Sequence, residues 1–329
     1  MTPFPLYIDD ARIAGRLYWR DVVEALRDGH RRGRAEIGDM VLGPPTRSFL
    51  NRAAWIDGIG GGIKSVTVFT DNPGRRAPRP AVQGAFLLFD DDTGALKAIV
   101  DGPLLTKWKT AADSVLGAML LARADAARAV IIGAGALASA LAEAYAAAMP
   151  RLDAVEVWAR DGDKARRLAA SIGDARVRAA AGDLETVVGR ADIVSTATSS
   201  AVPVLRGDWV RPGTHVDLVG AFRAEMREAD DALMRKARLF VDSRETTVDH
   251  IGELIIPLNT GVIARDDILG DLYDLVRRDD EGRGPRGRAG PEDVTVFKNG
   301  GGAHLDVMTA AAICAAAMTR AAGAGAQDS

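Results

Sequence analysis

Six residues beginning at Gly133, with the sequence GAGALA, constrain the fold of this chain more than any other segment. They follow a short apolar, β-branched run at 128–132 and open an alanine-rich stretch at 136–148. A strand, a glycine turn and a helix in this order are typical of a dinucleotide-binding unit, in which Gly133 permits a tight turn, Gly135 lets the backbone approach a pyrophosphate, and Ala138 keeps helix and strand close. Unpaired N–H groups at the helix N-terminus would attract the phosphates. We therefore predict nucleotide binding here, with a plain structural turn as the alternative.

The chain after this turn alternates between short apolar strands and helices. The predicted strands lie at 128–132, 154–159, 176–179, 192–196, 214–219 and 238–242, and the predicted helices at 136–148, 163–171 and 183–189. Apolar strands separated by helices indicate a parallel sheet with both faces covered. Six such strands predict an α/β fold of Rossmann type, a doubly wound parallel sheet. A charged loop at 278–292 precedes one more strand at Val294–Phe297 and a final helix at 303–322.

The residues before 123 follow a different pattern. Helices are predicted at 20–35 and 107–122, and strands at 62–69 and 84–89. The final helix of the chain can return to pack on this region, which would make the first domain discontinuous. We therefore predict a second α/β domain made of 1–122 and 299–329, and a Rossmann domain at 123–298.

Charge and composition exclude several classes of protein. The chain has 329 residues and a formal net charge of −3, so it lacks the basic surface of nucleic-acid-binding proteins. Charged residues interrupt the apolar stretches well short of about 20 residues, so we expect no membrane span. The single cysteine, Cys314, cannot form an intramolecular disulfide, which fits a cytoplasmic protein. We predict no metal site.

The choice of cofactor is predicted from the end of the second strand of the Rossmann domain, which has the sequence Trp158-Ala159-Arg160-Asp161. An acidic residue at this point binds the ribose 2′-hydroxyl of NAD, whereas an arginine can pair with the 2′-phosphate of NADP. Arg160 therefore favours NADPH. Asp161 is the counter-argument, because it could accept the ribose hydroxyl one residue later, and NADH then becomes the cofactor. Both residues could also be simple loop charges.

Three basic residues outside the glycine turn lie in apolar or turn contexts. They are Arg47 in PPTRSFL, Lys64 in GGGIKSVTVF and Lys109 in LLTKWKTAAD. A lysine on a buried strand is costly unless it meets an anion. Taken singly, each residue is equally consistent with an exposed charge at the edge of a strand or at a helix start.

Over nearly its whole length the sequence resembles the ornithine cyclodeaminase/mu-crystallin family. The matching segments stand in the family's order: TRSF, GIKSVTVF followed by DN, FLLFDDDTGALKAIVDG, TKWKTAA, IIGAGALA, STATSSAVPVL, LFVDS and VTVFK. The resemblance implies a Rossmann domain plus a substrate domain that dimerises through its sheet, and hence a homodimer. The family contains cyclodeaminases, imine or ketimine reductases, amino-acid dehydrogenases and an NADP- and thyroid-hormone-binding crystallin.

The resemblance also assigns roles to single residues. Arg47 and Lys64 match residues that hold the substrate carboxylate, with Lys64 also near the reacting carbon. Lys109 stands where most members have an arginine, so the charge is kept but the bidentate fork is lost. The residues matched to the cofactor are Thr110, Gly133, Gly135, Ala136, Leu137, Arg160, Thr196, Ala197, Thr198 and Val219.

Two segments depart from the family pattern. In LVGAFRAEMREAD, the cyclodeaminases carry a catalytic aspartate where this chain has Phe222, which cannot act as an acid or a base. Glu225 and Glu228 lie nearby but out of register. In FKNGGGAHLD, Asn299 and His304 replace a serine and an apolar residue. His304 could be a proton donor or a histidine on the surface of the helix.

From these matches we predict a reductase of a small cyclic imino acid. The first candidate reaction is the reduction of Δ1-pyrroline-2-carboxylate to proline, and the second is that of the piperideine analogue to pipecolate. Arg47, with Lys109, would hold the carboxylate, and Lys64 would lie beside the C=N bond as a polarising group or proton source. The alternatives are an ornithine cyclodeaminase with a relocated base, a dehydrogenase of a linear amino acid, and a non-enzymatic NADP-dependent carrier of a small ligand.

Overall fold

A computed structural model describes residues 5–282 and 287–319, which form two compact units. The first unit takes its described residues from 1–25, 32–106 and 303–329, and the second from 26–31 and 107–302. The boundary after Thr106 replaces the predicted boundary at 122, and 299–302 belongs to the second unit. One reason is the side chain of Asn299, whose Nδ2 donates to the carbonyl oxygen of Thr110 at 3.0 Å.

The secondary-structure elements are numbered along the chain. The strands are β1 (Leu6–Ile8), β2 (Glu36–Leu42), β3 (Arg47–Ile56), β4 (Gly60–Phe69), β5 (Val82–Phe89), β6 (Leu96–Asp101), β7 (Arg128–Ile132), β8 (Ala154–Trp158), β9 (Val177–Ala179), β10 (Ile193–Thr196), β11 (His215–Leu218), β12 (Arg238–Val241), β13 (Ile268–Gly270) and β14 (Thr295–Lys298). The helices are α1 (Asp10–Ile13), α2 (Trp19–His30), α3 (Gly102–Leu121), α4 (Ala136–Ala148), α5 (Gly162–Ile172), α6 (Leu184–Gly189), α7 (Asp231–Lys236), α8 (Arg244–Thr247), α9 (Gly252–Asn259), α10 (Leu272–Asp280) and α11 (Ala303–Met318).

The first unit is built on a six-stranded sheet with the order β1-β6-β5-β4-β3-β2. Strands β2 to β6 are antiparallel to their neighbours, and β1 joins β6 in parallel. Side chains alternate between the two faces along a strand, and directly paired residues share a face. The inner face, on which Val66, Phe86 and Val100 are buried, packs against α11. The outer face carries Met40 and Phe49, which are 48% and 40% exposed.

The second unit is built on an eight-stranded, all-parallel sheet with the order β13-β12-β14-β11-β10-β7-β8-β9. Its apolar strands pack into a core that includes Val130, Val194, Val216 and Val296. The chain reverses its direction of winding between β7 and β10. In doubly wound sheets, ligands bind at the carboxyl ends of the strands beside such a reversal. The predicted Rossmann-type fold is confirmed.

Differences from the predicted elements lie in both units. Four strands of the first unit, β1, β2, β3 and β6, had no prediction, and neither had β13 and the helices α7 to α10 of the second unit. The helix predicted at 107–122 begins earlier, at Gly102, because Pro103 is tolerated in a first turn and Asp101 caps it by accepting from the amide of Leu104 at 2.9 Å. The helix predicted at 303–322 ends at Met318, and 320–322 lies outside the described residues.

None of the helices in the described part of the chain combines the length and apolar character that a membrane span requires.

Candidate active site

The glycine turn after β7 has the geometry of a phosphate cradle. Gly133 has a φ of 136°, and a β-carbon there would come within 2.6 Å of the carbonyl oxygen of Ala197. Gly135 caps α4, and no heavy atom lies within 4 Å of the place that its β-carbon would take. Ala138 is fully buried between helix and sheet. A pyrophosphate can therefore approach the first amides of α4 over Gly135 without meeting a side chain.

Two basic residues that the sequence analysis missed lie beside this turn. A shallow depression of about 370 Å³ is bordered by Gly135, Ala136 and Ser139 on one side and by Lys164 and Arg167 of α5 on the other. Their spacing of three residues places both side chains on the same side of the helix. The signal in the sequence was two basic residues spaced by three, shortly after Arg160 and Asp161, from which the cofactor was predicted. Both cations can attract the phosphates of a dinucleotide.

The structure distinguishes Arg160 from Asp161. Asp161 is the N-cap of α5, and its Oδ1 accepts hydrogen bonds from the amides of Asp163 at 3.0 Å and Lys164 at 3.3 Å. Arg160 is exposed directly after β8, and no carboxylate among residues 5–282 and 287–319 pairs with it. The cap engages one oxygen of the Asp161 carboxylate with the helix amides, whereas the Arg160 side chain points into solvent.

The residues after β10 are organised by a buried carboxylate. Thr196 is fully buried, and its Oγ1 donates to Oε2 of Glu228 at 2.8 Å. The amide and hydroxyl of Thr198 donate to Oε1 of Glu228 at 2.8 and 2.6 Å. The hydroxyl of Thr196 is therefore engaged inside the fold, and the residue stays a predicted cofactor neighbour. Val219 is also buried, whereas the backbone of Ala197 lies against Gly133.

No relocated base is found in the segment after β11. Glu228 also accepts from the amides of Gly220 and Ala221, so its two oxygens are fully occupied. Glu225 is exposed and lies 3.9 Å from Arg223. Phe222, at the place of the cyclodeaminase aspartate, is 60% exposed. Neither glutamate is therefore placed to take over the task of that aspartate.

In the first unit, Lys64 forms an ion pair that the sequence analysis did not predict. Its side chain lies on the inner face of the sheet, and Nζ is 2.7 Å from Oδ2 of Asp306 in α11. The two side chains are 13% and 1% exposed, so the pair is shielded from water. A carboxylate this deep in an apolar helix needs a partner. Asp306 stands in the segment FKNGGGAHLD, and its position in an otherwise apolar helix was the available signal.

The register of β3 and β4 separates Arg47 from Lys64. Arg47 is exposed at the start of β3 and pairs with Phe69, on the outer face of the sheet. Lys64 pairs with Arg52, on the inner face. The prediction that Arg47 and Lys64 jointly hold one carboxylate is therefore wrong, because the two side chains point to opposite faces of the sheet. They are also far apart along the strands, since Phe69, the partner of Arg47, lies five residues from Lys64 in β4. Arg52 is the arginine beside Lys64.

In the second unit, Lys109 is buried in α3. Gly301, with a φ of 79°, leaves room for its ammonium, because a β-carbon there would overlap Nζ. Thr110 follows Lys109, and the carbonyl oxygen of Thr110 accepts a hydrogen bond from Asn299.

His304 belongs to the first unit. It is fully buried, so the alternative of a surface histidine is wrong.

Buried charges also fix the carboxyl ends of the strands in the second unit. Lys298 Nζ donates to the carbonyl oxygens of Leu218, Ala221 and Asn299, each at 2.8 Å. Burial raises the pKa of Asp217 to about 7, against the hydrogen bonds from Ser195 and Ser114 that lower it. These groups are closed off inside the fold. No cluster of three or more metal-binding side chains occurs in the part of the chain that the structure describes.

Comparisons with known proteins agree with this geometry. A model of the ornithine cyclodeaminase/mu-crystallin family matches residues 57–320. The chain is 55% identical over 310 residues to a Delta(1)-pyrroline-2-carboxylate reductase of Paracoccus denitrificans (strain Pd 1222), covering 94% of this chain and 96% of the relative. It is 35% identical over 232 residues to ketimine reductase mu-crystallin of Mus musculus, covering 70% and 68%.

A solved structure is also similar over nearly the full length. It is that of Thermococcus litoralis Delta(1)-pyrroline-2-carboxylate reductase in complex with NADH and L-proline, with a TM-score of 0.83 and 26% identity, covering 95% of this chain and 97% of that one. The fold, the glycine turn and the sequence relationship lead to one conclusion. The chain belongs to the ornithine cyclodeaminase/mu-crystallin family.

Proposed function

We propose that this protein is an NADPH-dependent reductase of small cyclic imino acids, with Δ1-pyrroline-2-carboxylate as its substrate and L-proline as its product. The observation that carries the proposal is the shielded ion pair of Lys64 and Asp306. It provides a cation and a proton on a part of the fold that otherwise packs apolar side chains. Support comes from the names of the relatives, among them a Delta(1)-pyrroline-2-carboxylate reductase and a reductase with NADH and L-proline bound.

The reduction of an imine adds a hydride to carbon and a proton to nitrogen. When bound, the reduced nicotinamide supplies the hydride. Lys64 donates a proton from Nζ to the ring nitrogen, as the C=N bond becomes a C–N single bond, and regains one from solvent. Asp306 holds the ammonium group of Lys64 in place through their ion pair. Lys109 stays a candidate for carboxylate binding in this proposal.

The cofactor would be held by the second unit's glycine turn. The open approach over Gly135 suits the pyrophosphate, and Lys164 and Arg167 add positive charge beside it. Thr110, Ala136, Leu137 and Thr198 stay proposed cofactor neighbours from the family resemblance. Arg160 supports NADPH over NADH because Asp161 is engaged as a helix cap.

The cyclodeaminase alternative is less well supported by the same residues. It needs a base near the amine, and Phe222 cannot serve. Glu228 has its oxygens fully occupied, and Glu225 is exposed beside Arg223. An imine reductase needs a cation and a proton source, and both are present in Lys64.

The proposal is tested by NADPH oxidation with a panel of cyclic imino acids of five- and six-membered rings. We expect turnover of Δ1-pyrroline-2-carboxylate and formation of L-proline, identified by chromatography. Pyruvate with ammonia tests the dehydrogenase of linear amino acids in the same assay. Tight NADPH binding without turnover of any imine would contradict the proposal and favour a carrier of a small ligand.

We further propose a homodimer formed through the outer face of the first unit's sheet. Apolar side chains on that face, among them Met40, Leu42, Phe49 and Trp55, are 39% to 53% exposed. Their register places them on one face of β2 and β3. An apolar surface of this kind on a sheet is typical of a subunit interface. We also propose a cytoplasmic location, because the single cysteine, Cys314, has no second cysteine with which to form an intramolecular disulfide.

A further inference from the structure

Two exposed apolar side chains lie at the same edge of the second unit's sheet. Val202, in the loop after β10, is 71% exposed, and Phe222, in the loop after β11, is 60% exposed. β10 and β11 are parallel neighbours, so both loops leave the sheet at its carboxyl edge. Among the large apolar residues that the structure describes in this unit, Leu269 of β13 is the only other exposed one. The apolar exposure of this unit is therefore concentrated at the carboxyl ends of two adjacent strands.

The backbone on both sides of Phe222 is held in place. The carbonyl oxygen of Ala221 accepts a hydrogen bond from Nζ of Lys298 at 2.8 Å, and Lys298 is fully buried. The carbonyl oxygen of Arg223 accepts from the amide of Gly252 at 2.9 Å. Phe222 is thus presented by a fixed stretch of backbone between two anchored neighbours.

The phenyl ring of Phe222 is also held by a contact of its own. The guanidinium carbon of Arg223 lies over the ring, 5.2 Å from its centroid, as expected for a cation attracted to an aromatic face. The exposed part of the ring gains nothing from the hydrophobic effect in the free protein. A ligand that covers it would gain that free energy, and little side-chain entropy would be lost because the ring is already positioned.

The order of the strands gives the direction in which a dinucleotide would extend. In the proposed function the 2′-phosphate meets Arg160 after β8, and the pyrophosphate lies over the glycine turn after β7. On the other side of β7 the sheet continues with β10 and then β11. The nicotinamide half would therefore extend toward the loops that carry Val202 and Phe222. Because the hydride passes directly from nicotinamide to substrate, the imine would bind at this same edge.

We propose that Phe222 packs against the ring methylene groups of the imine and makes the enzyme selective for cyclic over open-chain substrates. The inference rests on the proposed function, because it names the specificity-determining residue for that reaction. Imines with five- and six-membered rings offer only methylene groups to the phenyl ring. The terminal ammonium of an open-chain diamino acid would instead meet the positive charge of Arg223, which already lies over that ring.

The test compares a cyclic imine with an open-chain imine that carries the same carboxylate. Native protein, Phe222→Ala and Phe222→Leu are assayed with Δ1-pyrroline-2-carboxylate and with the imine that forms from pyruvate and methylamine. We expect Phe222→Ala to lower kcat/KM for the cyclic imine about 5- to 30-fold, mainly through KM, because its methylene groups are no longer covered. The open-chain imine should change by no more than about twofold, since it has no ring to lose the contact. Phe222→Leu should retain most of the preference, because leucine also covers methylene groups.

A control variant and the folding of Phe222→Ala support this comparison. Phe222 is exposed, so its truncation should change the free energy of unfolding little. Leu269→Ala removes an exposed apolar side chain of the same unit and should show native kinetics with both imines. An equal loss for both imines in Phe222→Ala would assign Phe222 to a contact that they share, such as the nicotinamide, and would overturn the inference. Native kinetics of Phe222→Ala with the cyclic imine would overturn it as well.

A binding measurement keeps this inference separate from the proposed function. Calorimetry with pyrrole-2-carboxylate and with pyruvate, each in the presence of NADP⁺, compares a ring carboxylate with an open-chain one without turnover. Native protein that prefers the ring carboxylate but reduces no imine contradicts the proposed reaction and leaves the ring contact supported, provided Phe222→Ala loses that preference. The same preference in native protein and Phe222→Ala, both folded by circular dichroism, overturns the ring contact whatever the reaction is.

Discussion

The ammonium group of Lys64 lies 2.7 Å from the carboxylate of Asp306, and both side chains are largely removed from water. The pair makes separate predictions for its two members. Lys64→Ala should lower kcat about 10²- to 10⁴-fold, the usual range for a lost proton donor. Lys64→Arg should preserve substrate binding better than turnover, because guanidinium is a poor proton donor. Near-native turnover of Lys64→Ala would contradict the mechanism.

The Asp306→Asn variant should lower turnover indirectly, through its effect on Lys64. Without its carboxylate partner the ammonium group of Lys64 is no longer held in position, so kcat should fall while KM stays close to the native value. A purely structural aspartate would lower stability and the amount of active enzyme while leaving kcat per folded molecule unchanged. The measurement is kcat and KM for native enzyme and variant, with the melting temperature of each as the control for folding.

Arg160→Ala should change cofactor preference. We expect NADPH binding to weaken at least about tenfold and NADH binding to stay nearly constant, because the lost bond is to the 2′-phosphate. Asp161→Ala is the matched control: loss of the N-cap costs about 1 kcal/mol of stability, with no selective effect on either cofactor. Fluorescence titration with NADPH and with NADH measures the affinity of the native protein and of both variants for each cofactor. A selective loss of NADH in Asp161→Ala would restore that residue as the ribose acceptor.

Ornithine should yield no ammonia, because Phe222 replaces the required carboxylate. Glu228→Gln then serves as a stability variant. Its carboxylate accepts hydrogen bonds from Thr196, Thr198 and two further amides, so the change should lower the urea midpoint of unfolding. Coupled detection of ammonia tests the native protein. Ammonia release that disappears in a stably folded Glu228→Gln variant would show that Glu228 is a relocated base.

Asp217→Asn should alter how stability depends on pH. Burial raises the pKa of Asp217 from 3.8 to about 7, while Ser195 Oγ donates to it at 2.6 Å. The folded protein therefore holds a proton that the unfolded chain releases between about pH 4 and 7, and native stability falls by this contribution as pH rises through that window. Asparagine resembles the protonated acid and does not titrate. The variant should gain stability relative to the native protein from pH 4 to 7 in urea unfolding; a constant difference would contradict the assignment.

Phe49→Glu should break the proposed dimer. A charge on the apolar outer face would have to be buried at the interface without a partner, which costs several kcal/mol. Leu269→Glu, at an exposed apolar residue of β13, is the control and should leave assembly unchanged. Light scattering over a range of concentrations gives the mass. A native protein that stays monomeric at all concentrations would contradict the interface.

The parts of the fold that were predictable from sequence are those specified locally. The glycine turn and the elements β7 to β12, β14 and α4 to α6 were recognisable because each depends on neighbouring residues, whereas β13 and α7 to α10 had no prediction. The six-stranded sheet was recognised only in β4 and β5, because β2, β3 and β6 are stabilised by pairing with the next strand in the sheet, which the sequence of a single strand does not reveal. The misplacement of Arg47 has the same origin: whether it or Arg52 faces Lys64 depends on the register of two strands, which no local pattern reveals.

The residues of the candidate site also divide into those that the local sequence reveals and those that only the fold brings together. Gly133 and Gly135 were recognisable by spacing, and Lys64 by its apolar context. Asp306 lies 242 residues further along the chain, and only the packing of α11 on the sheet brings it to the lysine. The hydrogen bond of Thr196 to Glu228 could not be predicted because the two residues lie on separate segments of the chain.

The position of β14 in the order of the second sheet bears on how the protein is made. This strand lies between β11 and β12, although along the chain it follows every other strand of the described residues. The ribosome must therefore synthesise Thr295–Lys298 before β11 and β12 can be joined. Soon afterwards α11 arrives to cover the inner face of the other sheet. Neither unit can complete its folding before these two segments have been synthesised, so the apolar surfaces that they cover stay exposed until β14 and α11 have left the ribosome.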